Sequence, residues 1–178
     1  MTHLIRRAHP EDVETVVRWR AESAAWIERR YGSDQWQRPF PADQLMKSVV
    51  AGELWIVHAD TLTSSPVATI TVDQDADPAL WLPEERDEPA RYVHKLTVAP
   101  GKAPGLGAAL LDWAGRAAAS EGALWLRLDA WTSNQRLRQY YADQGFAFVR
   151  ENPERVSGAA FQRRASFQMG SLYEVVEV

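Results

Sequence analysis

Apolar residues recur at two different spacings along this chain, and the spacing changes where one predicted element gives way to the next. Segments in which every second residue is apolar have the period of a half-buried strand. Segments in which apolar residues return after three or four positions have the period of an amphipathic helix. The pattern predicts the element order β-α-α-β-β-β-α-β-α-β-β. Strands are expected at 3–8, 53–59, 67–72, 93–98, 123–131, 146–150 and 165–176, and helices from residue 10, at 42–50, at 106–120 and at 134–144.

Two polar stretches between these elements are interpreted as loops. Residues 73–89 carry seven acidic side chains against the single Arg86, which is typical of a solvated connection. Residues 151–164 are also polar, and we expect them to form a long, mobile loop before the last strand.

The segment 93–109 carries the most informative local pattern. An alternating strand ends at Pro100-Gly101, and Gly105-Leu106-Gly107 then opens a helix. Glycines at the start of a helix allow a ligand to approach the backbone, and the first amides of the helix favour a phosphate. The Walker spacing is absent, because Lys102 is followed by Ala103. The dinucleotide fingerprint fails too, because Leu110 stands where a small residue is needed.

Composition excludes several classes of protein. A length of 178 residues suits one domain, and the net charge of −4 provides no basic surface for nucleic acid. The absence of cysteine excludes disulfides, thiol catalysis and thiolate metal sites, and we expect no metal ion. The sequence contains no signal peptide and no apolar stretch long enough to span a membrane. We therefore expect a cytoplasmic protein without membrane contact.

Two motifs resemble those of the Gcn5-related N-acetyltransferase (GNAT) family. Residues 102–107, Lys-Ala-Pro-Gly-Leu-Gly, resemble the family's pyrophosphate loop, Gln/Arg-x-x-Gly-x-Gly/Ala, with Lys102 at the first position. Residues 134–146 resemble the family's Asn-x-x-Ala-x-x-x-Tyr-x-x-x-Gly-Phe signature. The motifs occur in the family's order, and the resemblance covers essentially the whole chain.

The resemblance implies a fold and an activity. The expected fold is α/β (α+β): a central mixed, mostly antiparallel sheet of about seven strands, flanked by four helices and splayed between the fourth and fifth strands. Residues 1–178 would form a single GNAT domain. The implied activity is direct transfer of the acetyl group from acetyl-CoA to a primary amine of a small molecule or peptide, within a ternary complex. The alternatives are a non-catalytic coenzyme A-binding domain and an acyltransferase using another donor, such as aminoacyl-tRNA.

The resemblance also implies which residues hold coenzyme A. The backbone of the central strand would pair with the pantetheine arm, and amides at the helix start would hold the pyrophosphate. Pro104 lacks an N–H, so this loop offers one donor fewer, which Lys102 could offset as a point charge. The expected donor-binding residues are Leu96, Thr97, Val98, Lys102, Ala103, Pro104, Gly105, Leu106, Gly107, Ala108, Asn134 and Tyr141.

Acyl transfer requires a proton acceptor for the amine and a proton donor for the departing thiolate. Tyr141 occupies the position of the family's general acid, and its neighbour Tyr140 is expected to face the core. His94 is the candidate base, because alternation places it on the same face as Leu96 and it titrates near neutral pH. Tyr92 and Asp129 are weaker candidates for the base.

Acceptor binding is the least determined part of the site. The resemblance makes Trp26, Tyr31, Tyr92 and Asp129 candidate acceptor contacts, although aromatic residues on an amphipathic helix also fill cores. The acidic residues of 73–89 could attract a cationic amine instead of forming only a solvated loop. The family also includes homodimers, so the resemblance makes a second copy of this chain a candidate partner.

Overall fold

The structure is a computed structural model that describes residues 1–99, 101 and 103–178. It divides into two compact units. Unit 1 consists of Met1–Thr71, Lys95–Leu110 and Ser171–Val178, and unit 2 consists of Val72–His94 and Leu111–Gly170. The third and fourth strands and the fourth helix contribute residues to both units.

The elements follow the predicted alternation closely through most of the chain. The helices are α1 (Asp12–Tyr31), α2 (Ala42–Val50), α3 (Pro83–Arg86), α4 (Leu106–Ser120) and α5 (Gln135–Asp143). The strands are β1 (Thr2–Arg7), β2 (Leu54–Ala59), β3 (Pro66–Asp73), β4 (Ala90–Val98), β5 (Trp125–Ala130), β6 (Ala147–Glu151), β7 (Ala159–Arg164) and β8 (Glu174–Glu177).

In unit 1 the strand order is β4-β3-β2-β1-β8. β2 pairs antiparallel with both β1 and β3, whereas β8 runs parallel to β1. The apolar faces of α1 and α2 pack on this sheet, because their helical period places those side chains on one side. The resulting core contains Ala8, Val13, Val16, Leu45, Leu54 and Ile56, with Phe40 packed against it.

In unit 2 the strand order is β6-β7-β5-β4. β7 pairs antiparallel with β5 and with β6, whereas β4 and β5 are parallel. A core cluster forms under the connection between β3 and β4, and it contains Leu80, Trp81, Ala90, Tyr92 and Ala160.

The start of β4 pairs with β5, and its later residues extend beyond that ladder. The register runs from Ala90 opposite Trp125 to Val93 opposite Leu128, while β4 itself continues to Val98. Lys95 then has φ +53°, a left-handed conformation that non-glycine residues seldom adopt. The simple alternation that would put His94 and Leu96 on one face is therefore interrupted between them.

These pairings define a mixed α/β fold with a mostly antiparallel open sheet, as predicted. The described residues form eight strands and five helices, against an expectation of about seven and four. The additional helix is the four-residue α3, which lies within the stretch interpreted as a solvated loop.

The prediction for the region 151–176 was wrong. Residues interpreted as a mobile polar loop include β7, which lies between β5 and β6 and is largely buried. The strand predicted at 165–176 is reduced to the four residues of β8. The polar sequence suggested an exposed loop, but a polar residue can be buried when it has a partner. Arg163, on β7, is buried and forms an ion pair with Asp112, which is also buried.

Candidate active site

Residues of unit 2 at the end of β3 and in β4 and β5 bring His94 between two carboxylates. Asp73 ends β3, His94 lies in β4 and Asp129 lies in β5. The Nε2 atom of His94 is 3.1 Å from Oδ1 of Asp73, and its Nδ1 atom is 3.7 Å from Oδ1 of Asp129. The His94 side chain remains 24% exposed, so the cluster has access to solvent.

The two carboxylates determine the charge of His94. Burial acts to lower the pKa of His94, but the hydrogen bonds and charges of Asp129 and Asp73 outweigh it and raise the pKa to about 9. His94 is therefore an imidazolium at neutral pH. It can accept a proton from an ammonium group only in its minor neutral form, or as the pH approaches 9.

Asp129 has a second partner, and it also affects the candidate acid. Ser157 donates a hydrogen bond from its hydroxyl to Asp129. The negative charge of Asp129 contributes to the raised pKa of the Tyr141 phenol. The structure thus brings together His94 and Asp129 among the predicted residues, and it adds Asp73 and Ser157. Tyr141 is linked to this cluster only through the charge of Asp129.

Tyr141 is the buried member of the tyrosine pair. Its side chain is 8% exposed and contacts Phe146 and Phe161, with ring centroids 5.9 and 6.1 Å away. Burial is the main reason that the pKa of Tyr141 is raised, so the phenol stays protonated through the physiological range. Tyr140, predicted to face the core, is only half-buried, because α5 turns Tyr141 inward.

The loop before α4 has the backbone form that the sequence predicted for a phosphate site. Gly101, Ala103 and Gly105 all have positive φ values, of +73°, +37° and +91°. The amide of Leu106 donates to the carbonyl of Ala103, whereas the next amides of the first turn, those of Gly107 and Ala108, have no intrahelical acceptor by helix geometry. Lys102, the predicted point charge, lies outside the described residues.

The end of β4 fits the expected contact with a pantetheine arm. Leu96 and Val98 are half-buried and lie beyond the β4–β5 ladder, while Thr97 is 6% exposed. The following amide, that of Ala99, donates to the carbonyl of Val67 on β3. Extended backbone at a strand edge is the kind of surface to which a linear amide-bearing chain adds as a further strand.

Asn134 has a structural role in the described chain. Its Oδ1 atom accepts a hydrogen bond from the amide of Leu137 at 3.0 Å, so it caps the start of α5. This leaves the contact with coenzyme A as a prediction.

The predicted acceptor contacts are found in different environments. Trp26 and Tyr31, near the end of α1, are 43% and 42% exposed, and their rings meet edge to face at 5.4 Å. Tyr92 is 3% exposed, and its hydroxyl accepts a hydrogen bond from the fully buried Arg127. Arg127 also stacks on Trp81, so these contacts give Tyr92 a structural role.

The acidic stretch 73–89 is partly neutralised by residues distant in sequence. Four of its seven acids form ion pairs, so the field available to attract a cationic amine is weaker than the sequence suggests. The pairs are Asp73 with His94, Asp77 with Arg155, Glu85 with Arg150, and Glu88 with Arg127.

Two further features, a metal-binding cluster and a membrane-spanning helix, are absent from the part of the chain that the structure describes. No group of three or more carboxylate or imidazole side chains there is arranged to hold a metal ion. None of the helices there has the length and hydropathy needed to cross a membrane.

The chain is similar to known proteins in sequence and in fold. No protein-family model matches the sequence. The uncharacterized N-acetyltransferase YesJ of Bacillus subtilis is 26% identical over 143 residues, which cover 78% of each chain. A GNAT-family acetyltransferase of Listeria monocytogenes has a similar structure, with a TM-score of 0.75 and 21% identity, over 91% of this chain and 94% of the other. The PaiA N-acetyltransferase of Thermoplasma acidophilum, solved with coenzyme A, gives 0.69 and 19%, over 92% and 99%.

The fold defined by these likenesses is that of the GNAT acetyltransferases. The two motifs and the relative in Bacillus subtilis are likewise similar to the Gcn5-related N-acetyltransferases.

Sequence reasoning missed Asp73 and Ser157 as members of the cluster. Asp73 was grouped with the acidic stretch, although its position directly after the strand 67–72 was a usable signal. Ser157 lies in the stretch interpreted as a loop, and nothing local in the sequence connects it with Asp129.

Proposed function

We propose that the protein is an N-acetyltransferase that transfers the acetyl group of acetyl-CoA directly to a primary amine of a small molecule or peptide. The observation that carries this proposal is the loop before α4. Three residues with positive φ shape this loop, which leads directly to the first amides of the helix. The likeness to an N-acetyltransferase and a buried tyrosine at the position of the general acid support the same activity.

The donor is held by main-chain groups in this proposal. The amides of Gly105, Gly107 and Ala108 receive the pyrophosphate. The backbone of Leu96 and Val98 pairs with the pantetheine arm. Acetyl-CoA supplies the activated acyl carbon when bound. Positioning the amine against that carbon supplies much of the rate enhancement, because it converts a bimolecular step into an intramolecular one.

Tyr141 is the proposed proton donor. Its pKa lies above the ordinary value of a phenol, so it carries its proton at every pH at which the enzyme would work. A thiol has a pKa near 8.5 and a phenol near 10, so the hydroxyl acts by donating a hydrogen bond to the sulfur as negative charge develops there.

His94 is the proposed proton acceptor, acting together with Asp73 and Asp129. The carboxylates hold the imidazolium that forms when His94 takes a proton from the amine, as the raised pKa of His94 indicates. The cost of this arrangement is that few molecules carry a neutral His94 at pH 7.

The donor site can be tested with two matched glycine substitutions. Gly105 and Gly122 have similar positive φ values, +91° and +87°, so alanine strains both positions to a similar degree. A Cβ at residue 105 would also stand in the phosphate loop. We expect Gly105→Ala to weaken coenzyme A binding about tenfold or more, measured by calorimetry, and Gly122→Ala to leave it unchanged. Equal affinities in both variants would place the pyrophosphate elsewhere.

A further inference from the structure

An arginine of unit 1 is held between two aromatic rings. The guanidinium carbon of Arg20, on α1, lies 4.9 Å from the centre of the Trp36 ring and 5.0 Å from that of Phe40. A second cation contacts the same phenylalanine, because Nζ of Lys95, on β4, is 4.5 Å from the centre of the Phe40 ring. Two positive groups therefore share one aromatic ring.

Burial penalises the charge of Arg20. Desolvation lowers the pKa of Arg20 to about 10, which still leaves it charged at neutral pH. Its Nε atom is buried and has no hydrogen-bond partner in the part of the chain that the structure describes. Among the described residues, no carboxylate forms an ion pair with it. Contacts with aromatic faces compensate such a charge only in part, because a desolvated cation is stabilised most by an anion.

The surrounding backbone is fixed in unusual conformations. Trp36 has φ +65° and Lys95 has φ +53°, which are positive values at non-glycine residues. Phe40 packs against the core formed by α1, α2 and β2. Strain of this kind clusters at ligand sites, where the surrounding structure holds it in place.

We propose that Arg20 and Lys95 form an anion subsite for the acceptor, and that the acceptor is an amine that also carries a carboxylate. The inference rests on the proposed acetyltransferase function. Lys95 directly precedes Leu96, the first residue proposed to pair with the pantetheine arm, and both belong to unit 1. The fork of a guanidinium matches a carboxylate in two hydrogen bonds, and the Trp36 and Phe40 rings keep it from turning away.

The subsite is tested with acceptors that differ only in charge. Each amino acid of a panel is compared with its carboxamide as acceptor, and kcat/KM is measured. The wild-type protein is expected to prefer the carboxylates. Arg20→Gln should lower kcat/KM for carboxylates by about 10- to 100-fold, the loss of one or two charged hydrogen bonds, and leave the amides within about twofold. Arg20→Lys should restore part of the preference. Arg18→Gln, an exposed arginine on the same helix, is the control.

A second readout does not depend on turnover. Binding of N-acetyl amino acids and their amides to the protein with coenzyme A is measured by calorimetry. Carboxylate-dependent binding that Arg20→Gln abolishes supports the subsite even if no amine is acetylated, and in that case only the proposed activity fails. The subsite is overturned if the wild-type protein binds carboxylates and carboxamides with equal affinity. It is also overturned if Arg20→Gln weakens the binding of both by the same factor. Failure of every carboxylate to bind at about 10 mM also overturns it.

Discussion

Two half-buried cations, His94 in unit 2 and Arg20 in unit 1, are compensated in different ways. In unit 2, His94 lies between Asp73 and Asp129, and Arg163 is paired with Asp112 at 3.1 Å. In unit 1, Arg20 has two aromatic rings as its neighbours and no ion pair among the described residues. Burial lowers the pKa of Arg20 to about 10, whereas two carboxylates raise that of His94 to about 9.

This difference suggests two functions for a positive charge that is partly shielded from water. A cation that the protein itself neutralises is held in one place and can store or return a proton, as proposed for His94. A cation without its own counter-ion is costly until a ligand supplies one, as proposed for Arg20. The first arrangement should determine how fast the reaction proceeds, and the second should determine which acceptor is used.

The largest expected effect is on turnover. Tyr141→Phe removes the proposed proton donor but keeps the ring that packs on Phe146 and Phe161. We expect kcat to fall by about 100-fold or more in steady-state assays, with the preference for carboxylates unchanged. Tyr140→Phe, the matched control, should stay within about threefold.

The role of Tyr141 would be contradicted by full activity in Tyr141→Phe. A shift in acceptor preference in that variant would contradict the proposal that residues of unit 2 determine the rate and Arg20 of unit 1 determines the acceptor.

The next effect is on stability. Arg163→Met leaves Asp112 as a buried carboxylate without its cation, and we expect a loss of about 3 kcal/mol in the free energy of unfolding. Arg20→Met keeps the apolar stem and removes a charge that no carboxylate compensates, so its stability should be unchanged or slightly higher. Urea denaturation of the two variants gives the comparison. A large loss in the free energy of unfolding of Arg20→Met would mean that the contacts of Arg20 with Trp36 and Phe40 stabilise the fold.

A smaller effect should depend on pH. The pKa of His94 in the folded protein, about 9, lies above its ordinary value of 6.5. The imidazolium therefore stabilises the fold fully below pH 6.5, and this contribution is lost as the pH rises to 9. His94→Gln should cost on the order of 2 kcal/mol at pH 6 and little above pH 9, measured by denaturation across that range.

The same titration should appear in the rate. If His94 accepts the proton, kcat/KM rises with pH through an apparent pKa near 9 and the rise is lost in His94→Gln. Acceptors whose amines differ in pKa provide the control. If the apparent pKa of the rate profile changes with the acceptor, it reports the ionisation of the amine and not that of His94. An acidic limb that persists in His94→Gln would remove His94 from the role of base.

Local patterns were enough to predict much of the fold. α2 occupies the predicted 42–50, and α5 lies within the predicted 134–144. The turn, glycines and helix start of 101–107 were also recognisable, because each depends on residues adjacent in sequence. Family motifs then supplied the expected position of Tyr141.

Features that depend on distant contacts were not predictable in this way. β7 has a polar sequence and is a strand because β5 and β6 pair with it on both sides. The raised pKa of His94 needs carboxylates from two other strands. The aromatic cluster around Arg20 includes a contact between Phe40 and Lys95, which are distant in sequence. Nothing in the local sequence indicates the positive φ of Lys95.

The most direct test of the account is acceptor-dependent release of coenzyme A thiol from acetyl-CoA, with the acetylated product identified by mass. The assay uses a panel of primary amines in paired carboxylate and carboxamide forms. We predict thiol release above the rate of hydrolysis, a matching gain of one acetyl group on the amine, and the fastest release with carboxylate-bearing amines. Binding of acetyl-CoA without acceptor-dependent release from any amine of the panel would contradict the catalytic claim.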